Sequence, residues 1–379
     1  MNYVMLKDVC AIKMGQSPDS NSYNDTGEGV PFFQGNADFG ERYPVTRKWC
    51  SVPTKMATQD DILISVRAPI GAMNYAKEDC CIGRGLAALT PDKSKVSSEF
   101  IFWLLKGKNA ELNSKGTGST FKAISRKVLE ETKVPKISLE KQKEFSEILE
   151  RIYGVIQARK EELQKLDELI KARFVEMFGT LQDNRNGYDI ITIEEVCSMI
   201  KDGTHQTPTY TEDKENGYKF LSSKDVMTQK IDWMDIKYIP ADLHEKLYAT
   251  IQPQRNDILM SKNGVNYGVA AVNDTDEVFD IYVSLALLRP TEVINPVYFR
   301  CVINNPDTKR QFDGSIKGIG VPNLHLGEIK KTKILLPPMQ LQEEYVLFVN
   351  QVDKSKVAVQ KALDEAQQLF DSLMQEYFG

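Results

Sequence analysis

Leu129-Glu130-Glu131-Thr132-Lys133-Val134 and Ile329-Lys330-Lys331-Thr332-Lys333-Ile334 lie 200 residues apart and carry one pattern. The correspondence runs on through Leu139, Gln142, Glu144 and Phe145 against Met339, Gln342, Glu344 and Tyr345. It closes with Phe178-Gly179 against Phe378-Gly379. Upstream the offset drifts. Val9-Cys10 answers Val196-Cys197, Asp61-Ile62-Leu63-Ile64-Ser65 answers Asp257-Ile258-Leu259-Met260-Ser261, and Ala87-Ala88-Leu89-Thr90-Pro91 answers Ala286-Leu287-Leu288-Arg289-Pro290. From Gly118 and Gly318 onward the offset is fixed at 200. The frame is therefore duplicated, and the insertions fall in the front half of each globular part. A chain built this way is expected to have an approximate internal two-fold and to present two similar, non-identical working surfaces.

The 379 residues allow two domains with real cores, and 41% hydrophobic with 27% charged content is ordinary for a soluble globular protein. No apolar run approaches the roughly 18 residues of a membrane span, and the N-terminus lacks a signal pattern, so a cytoplasmic location is expected. The six cysteines form no CxxC pair and the three histidines are scattered, so no metal site is expected. Cys10 and Cys197 fall at equivalent repeat positions and read as buried thiols. The overall charge of −5 is unevenly spread: residues 1–137 carry +4, 138–179 carry −1, 180–337 carry −4 and 338–379 carry −4. A basic first part and an acidic second part give only weak electrostatic support for a polyanionic partner.

The pattern sets a mixed α+β fold class. Asp-Ile-Leu-Ile/Met-Ser is a short β-branched run between polar residues, a strand by pattern. Residues 97–106 and 295–304 read as helices, with polar starts at Ser97 and Asn295 and Pro296 in the first turn. Residues 139–178 and 339–378 read as two long helices with a heptad-like stripe. In the first, Leu149, Ile152, Ile156, Leu163, Leu166 and Ile170 follow alternating three- and four-residue steps, with Arg159 filling the seam position between Ile156 and Leu163. Val349, Val352, Val359, Leu363 and Phe370 keep the same register in the second. Each helix of about 40 residues is roughly 60 Å long at 1.5 Å per residue. Two such stripes in one register are expected to bury against each other as an antiparallel coiled-coil pair. The expected domains are 1–137, a helical region 138–179, 180–337 with a short linker at its start, and a helical region 338–379.

In its full length the chain resembles the specificity (S) subunits of type I restriction-modification systems. The resemblance rests on Asp202-Gly203-Thr204-His205-Gln206-Thr207-Pro208 with its counterpart Gly15-Gln16-Ser17-Pro18, and on the paired Asp-Ile-Leu strands. It also rests on the Gly-rich elements at 116–118 and 318–320, the Lys-Val-Pro and Leu-Leu-Pro-Pro lead-ins to the helices, and the closing Phe-Gly pairs. It implies two pseudo-symmetric target recognition domains, each followed by a helical region. Each domain would read one half of a split, asymmetric double-stranded DNA target, and the helices would set the gap. The implied partners are two methyltransferase subunits, with restriction (motor-nuclease) subunits docked on that assembly. The chain itself would hold no cofactor; S-adenosylmethionine, ATP and Mg would belong to the partners. Rival readings are a specificity subunit of another restriction type and a scaffold that binds proteins and not DNA.

Reading bases requires hydrogen-bonding side chains on loops that enter a groove, with a Lys/Arg fringe for phosphates. The first domain offers Gln16, Ser17, Gln34, Asn36 and Arg67, with Lys115 and Lys122 beside the Gly-rich element. The second offers Thr204, His205, Thr207 and Lys224. Lys262, Asn263, Lys317 and Asn323 complete the candidate DNA-binding set. The structural alternatives are plain: a Gly-rich turn beside a helix can simply turn the chain, and Thr207-Pro208 can simply shape a loop.

Two fragments imitate catalytic motifs. Asn295-Pro296-Val297-Tyr298 is similar to the signature of amino-methyltransferases that hold a flipped base against an aromatic ring. Its repeat counterpart is Ser97-Ser98-Glu99-Phe100, so a helix cap explains it better. Pro306-Asp307 with Glu328-Ile329-Lys330 imitates a nuclease pattern, but the first repeat has Val128-Leu129-Glu130 in place of Glu328-Ile329-Lys330. A chain without catalysis of its own is expected.

Overall fold

The computed structural model describes residues 2–118, 122–316 and 321–379. It divides the chain into two compact units, residues 1–161 with 359–379, and residues 162–358. Each unit thus takes one globular part together with halves of both long helices.

In the first unit a four-stranded antiparallel sheet runs in the order Cys10–Met14, Leu86–Pro91, Ile62–Ser65, Met73–Tyr75. The second unit repeats that order with Cys197–Asp202, Leu285–Pro290, Ile258–Ser261 and Ala270–Val272. The Asp-Ile-Leu runs are central strands in both, buried at every position, which is why they read as unbroken apolar segments. Burial pushes the Cys10 and Cys197 thiols up to about 12.

A further sheet in each unit is built from the inserted front half, and here the units differ. The first has five strands, Tyr23–Asn24, Trp49–Cys50, Val30–Phe33, Cys80–Ile82 and Met56–Ala57. The second has three, Lys237–Ile239, Tyr218–Leu221 and Phe279–Ile281. One parallel pair is common to both, Val30–Phe33 with Cys80–Ile82 and Tyr218–Leu221 with Phe279–Ile281. A two-stranded ribbon closes each globular part by joining its start to its end: Tyr3–Met5 with Lys133–Pro135, and Asp189–Thr192 with Lys333–Leu336.

The long helices are continuous over Leu139–Phe178 and Met339–Phe378. Within the first unit Phe145 stacks on Tyr377 and Tyr153 lies 6.2 Å from Phe370, ring centre to ring centre. Within the second, the Tyr345 hydroxyl donates to the Ile170 carbonyl and Lys356 pairs with Asp167 at 2.5 Å. Rising numbers on one helix meet falling numbers on the other, so the pairing in each unit is antiparallel. Leu149, Ile156, Val349, Val352, Val359, Leu363 and Phe370 are buried, while Ile152, Leu163, Leu166 and Ile170 are half-buried.

The repeated Phe-Gly endings have a packing cause. Phe378 lies 5.5 Å from Phe100 on the helix Ser98–Gly107, and Phe178 lies 5.2 Å from Tyr298 on the equivalent helix Pro296–Ile303. Each globular part therefore seats the end of the helix that follows the other one. Gly179 adopts φ +76° to stop the first long helix, a left-handed turn that favours glycine.

Candidate nucleic-acid interface

At one end of the first unit's central sheet, four loops are stitched into a rim. Gln16 N–H donates to Ile82 O (3.0 Å), and Arg84 N–H donates to Ser17 Oγ (3.4 Å). Gly85 N–H donates to Gln34 O (3.1 Å), and Val66 N–H donates to Gly85 O (2.9 Å). Ala68 N–H then donates to Lys122 O (3.0 Å) and Ile124 N–H to Val66 O (2.9 Å), which adds the Gly-rich segment. The turn at 83–85 needs glycine because the neighbouring backbone runs against it: a Cβ on Gly85 would sit 2.4 Å from Gln34 O.

Gln16, Gln34, Arg67, Arg84, Lys115 and Lys122 are exposed here, and Ser17 and Asn36 half-exposed. Lys115 pairs with Glu111 at 2.6 Å and holds that carboxyl below its usual range. Arg67 and Arg84 have no acidic partner within ion-pair distance among the described residues.

The second unit repeats the stitching. Thr204 N–H donates to Ile281 O (2.9 Å), Lys262 N–H to Ser284 O (2.9 Å), Leu324 N–H to Lys262 O (2.9 Å) and Gly264 N–H to Pro322 O (3.1 Å). Ser223 N–H donates to Ser284 Oγ (2.9 Å). This gathers Thr204, His205, Ser222, Asn263 and Asn323 along one edge. His205 and Thr207 are exposed, and His205 Nε2 lies 3.6 Å from Asp202 Oδ2. Lys224 bonds Asp235 O at 2.5 Å and also faces Asp225 at 3.3 Å, so acidic neighbours offset much of its charge. Lys317 lies outside the described residues.

Lys262 departs from the expectation that it fronts a polyanion. Its side chain is only 5% exposed and its ammonium sits 2.5 Å from Asp202 Oδ1. An ammonium already neutralised and desolvated by a carboxylate is a structural group, not a free phosphate ligand. At the equivalent register the first unit has Met14 opposite Ala87 and Val66 after its strand, both uncharged. Sequence reading missed the pairing of Lys262 with Asp202 because a residue-by-residue pattern does not reveal which strands are neighbours.

The two fragments that imitate catalytic motifs are structurally occupied. Asn295 Oδ1 accepts from Val297 N–H (2.9 Å) and Tyr298 N–H (3.4 Å), capping a helix. Tyr298 is fully buried and its hydroxyl donates to Leu335 O (3.0 Å). Asp307 accepts from Leu181 N–H (3.2 Å), and Lys330 pairs with Glu194 (2.9 Å). Among the described residues no group of three or more His, Cys, Asp or Glu side chains could hold a metal ion, and no helix is long and apolar enough to cross a membrane.

The same duplicated frame is found in known proteins. The specificity subunit of the MjaX type I restriction enzyme of Methanocaldococcus jannaschii is 44% identical over 160 residues, which are 42% of this chain and 38% of that protein. This chain therefore matches well under half the length of that relative. The MjaIX specificity subunit of the same organism is 22% identical over 97% of this chain and 90% of its own length. The crystal structure of the type I restriction-modification S subunit from M. genitalium superimposes over 100% of this chain and 96% of that one, with a TM-score of 0.55 at 15% identity, and so shares the fold. The model of the type I restriction modification DNA specificity domain matches twice, over residues 1–168 and 186–366, and the chain belongs to that family.

Proposed function

We propose that the chain is the DNA-reading subunit of a type I restriction-modification enzyme, and that each rim reads one half of a bipartite, asymmetric duplex target. The single observation that carries this is the rim built twice: one backbone frame, stitched by equivalent hydrogen bonds, with different side chains mounted on it. A duplicated frame with divergent loops suits two unlike half-sites, because phosphate and backbone contacts position a reader while loop side chains specify bases. The long helices set the gap between half-sites and help recruit two methyltransferase subunits, on which restriction subunits assemble. The chain performs no chemistry itself. S-adenosylmethionine, ATP and Mg are used on the partner subunits, and the complex works in the cytoplasm.

Charge supports a need for partners. A first domain of +4 and a second of −4 are small or adverse beside the six to ten phosphate contacts of a tight binder. The chain alone is therefore expected to bind duplex DNA weakly and at low salt only, with affinity rising when methyltransferase subunits join. Sequencing of the DNA methylated by the reconstituted complex is the test. A two-part motif with a fixed gap supports the function. A contiguous motif, or salt-insensitive retention of protein partners with no DNA retained, refutes it.

A further inference from the structure

The two rims share a backbone but differ in chemistry, and the difference falls at one geometrically defined position. Arg67 and Ala123 form an antiparallel bridge, as do Asn263 and Asn323. The hydrogen bonds flank each pair instead of joining it: Ala68 to Lys122 and Ile124 to Val66 around the first, Gly264 to Pro322 and Leu324 to Lys262 around the second. That is the non-hydrogen-bonded kind of antiparallel pair, with Cα atoms about 4.5 Å apart and the two side chains adjacent on one face. In the first unit this face carries one guanidinium beside a methyl group. In the second it carries two amides side by side.

These groups are unspent. The Arg67 side chain is exposed and has no hydrogen bond or ion pair among the described residues. Asn323 is exposed, and Asn263 Oδ1 has no hydrogen-bond partner among the described residues, although buried acceptors nearly always find one. The neighbouring turn changes in the same sense. Gly83-Arg84-Gly85 in the first unit becomes Tyr282-Val283-Ser284 in the second, so a second guanidinium is replaced by an apolar side chain.

The major-groove edge of guanine offers two acceptors, N7 and O6, which fit the donor-only fork of arginine. The edge of adenine offers one acceptor, N7, and one donor, N6, which fit an amide. We infer that the two half-sites differ in base class at this rim position: Arg67 reads a guanine in the half-site of the first unit, and Asn323, backed by Asn263, reads an adenine in that of the second. The inference rests on the proposed function, since it requires both rims to face DNA.

The test is selection from a random duplex DNA library by the full-length chain, alone at low salt and with co-expressed modification subunits, for the unsubstituted protein and four variants. Arg67→Ala is expected to lower the preference for one guanine about ten- to a hundredfold and leave the other half-site untouched. Arg67→Lys keeps the charge but loses the fork, so it should retain overall binding while relaxing the same guanine. Asn323→Ala and Asn263→Ala should relax one adenine in the opposite half. All three positions are at the surface or half-buried, and melting temperature confirms that the four variants fold. Arginine variants that weaken binding to all sequences equally would mark Arg67 as a phosphate contact and overturn the assignment. So would a motif unchanged by every variant, or Arg67 and Asn323 affecting the same half. Absence of any enriched motif with the unsubstituted chain and its partners would instead sink the reading function itself.

Discussion

Gln142 and Gln342 make the same three hydrogen bonds at sites 200 residues apart. Gln142 Oε1 accepts from Ser97 N–H (2.9 Å), and its Nε2 donates to Lys95 O (3.1 Å) and Ile137 O (3.1 Å). Gln342 Oε1 accepts from Asn295 N–H (2.8 Å), and its Nε2 donates to Val293 O (3.2 Å) and Pro337 O (2.9 Å). Both are buried, and both join the first turn of a long helix to the N-cap residue of the helix packed against it. Replacing either with leucine keeps the volume but strands one N–H and two carbonyls. At about 1 kcal/mol per lost bond, and more where a buried group stays unpaired, Gln142→Leu and Gln342→Leu should each cost about 2–4 kcal/mol in denaturant unfolding. A loss under about 0.5 kcal/mol at either site would show that water replaces the clasp.

The Asp202–Lys262 pair makes a second, asymmetric prediction. Lys262→Met leaves the Asp202 carboxylate without its 2.5 Å partner in a mostly buried place, and should cost about 3–5 kcal/mol. The double change Asp202→Met with Lys262→Val installs the residues that the first unit has at Met14 and Val66. It should recover most of that loss, since apolar replacements of a buried pair are often neutral or stabilising. A double variant no more stable than Lys262→Met would mean that the pair is needed for the fold of the second unit.

These cases show what the sequence does and does not reveal. The central strands are legible because their apolar run is unbroken, and the long helices because one heptad-like register of mostly apolar residues occurs twice. The outer sheets are not. Strands as short as Tyr23–Asn24 and Trp49–Cys50 carry no period of their own and are held by pairing across the sheet. Among the candidate interface residues, Gln16 and Arg67 could be found from motif and strand-end position alone. The neutralisation of Lys262 depends on the strand carrying Asp202, and the joining of Asn263 to Asn323 depends on a bridge spanning 60 residues. The seating of Phe178 and Phe378 beneath the opposite globular parts was equally hidden, because a repeat shows equivalence and not adjacency.

Domain exchange should be clean. The ribbon of Asp189–Thr192 with Lys333–Leu336 brings the two ends of the second globular part together. Exchanging residues 189–337 for the corresponding segment of a relative leaves both long helices intact. The methylated motif should then change in one half only, with the other half and the gap kept. A hybrid that alters both halves would show that the two rims read DNA jointly.

The helices make a prediction about length. Both run unbroken for 40 residues, and each contributes to both compact units, so the chain passes between the units only along them. Inserting one heptad after Glu161 and another after Ala358 preserves the buried register and adds about 10 Å at 1.5 Å per residue. At 3.4 Å per base pair this should lengthen the gap of the methylated motif by about three base pairs, with both half-sites retained. A methylated motif with the original gap would show that the helices do not set it.

Tyr298 tests whether the chain takes part in methyl transfer. An aromatic side chain that holds a flipped base must be open to it, whereas Tyr298 is fully buried among Phe174, Phe178 and Tyr345. Burial also pushes its hydroxyl well above the usual range for tyrosine, so it stays protonated and donates to Leu335 O. Tyr298→Phe removes only that bond and should cost about 1 kcal/mol, with methylation by the reconstituted complex unchanged. Tyr298→Ala opens a cavity and should cost about 3–5 kcal/mol, lowering the yield of folded protein but not the rate per assembled complex. If the phenylalanine variant folds, assembles and binds DNA yet loses methyl transfer, the non-catalytic assignment has to be abandoned.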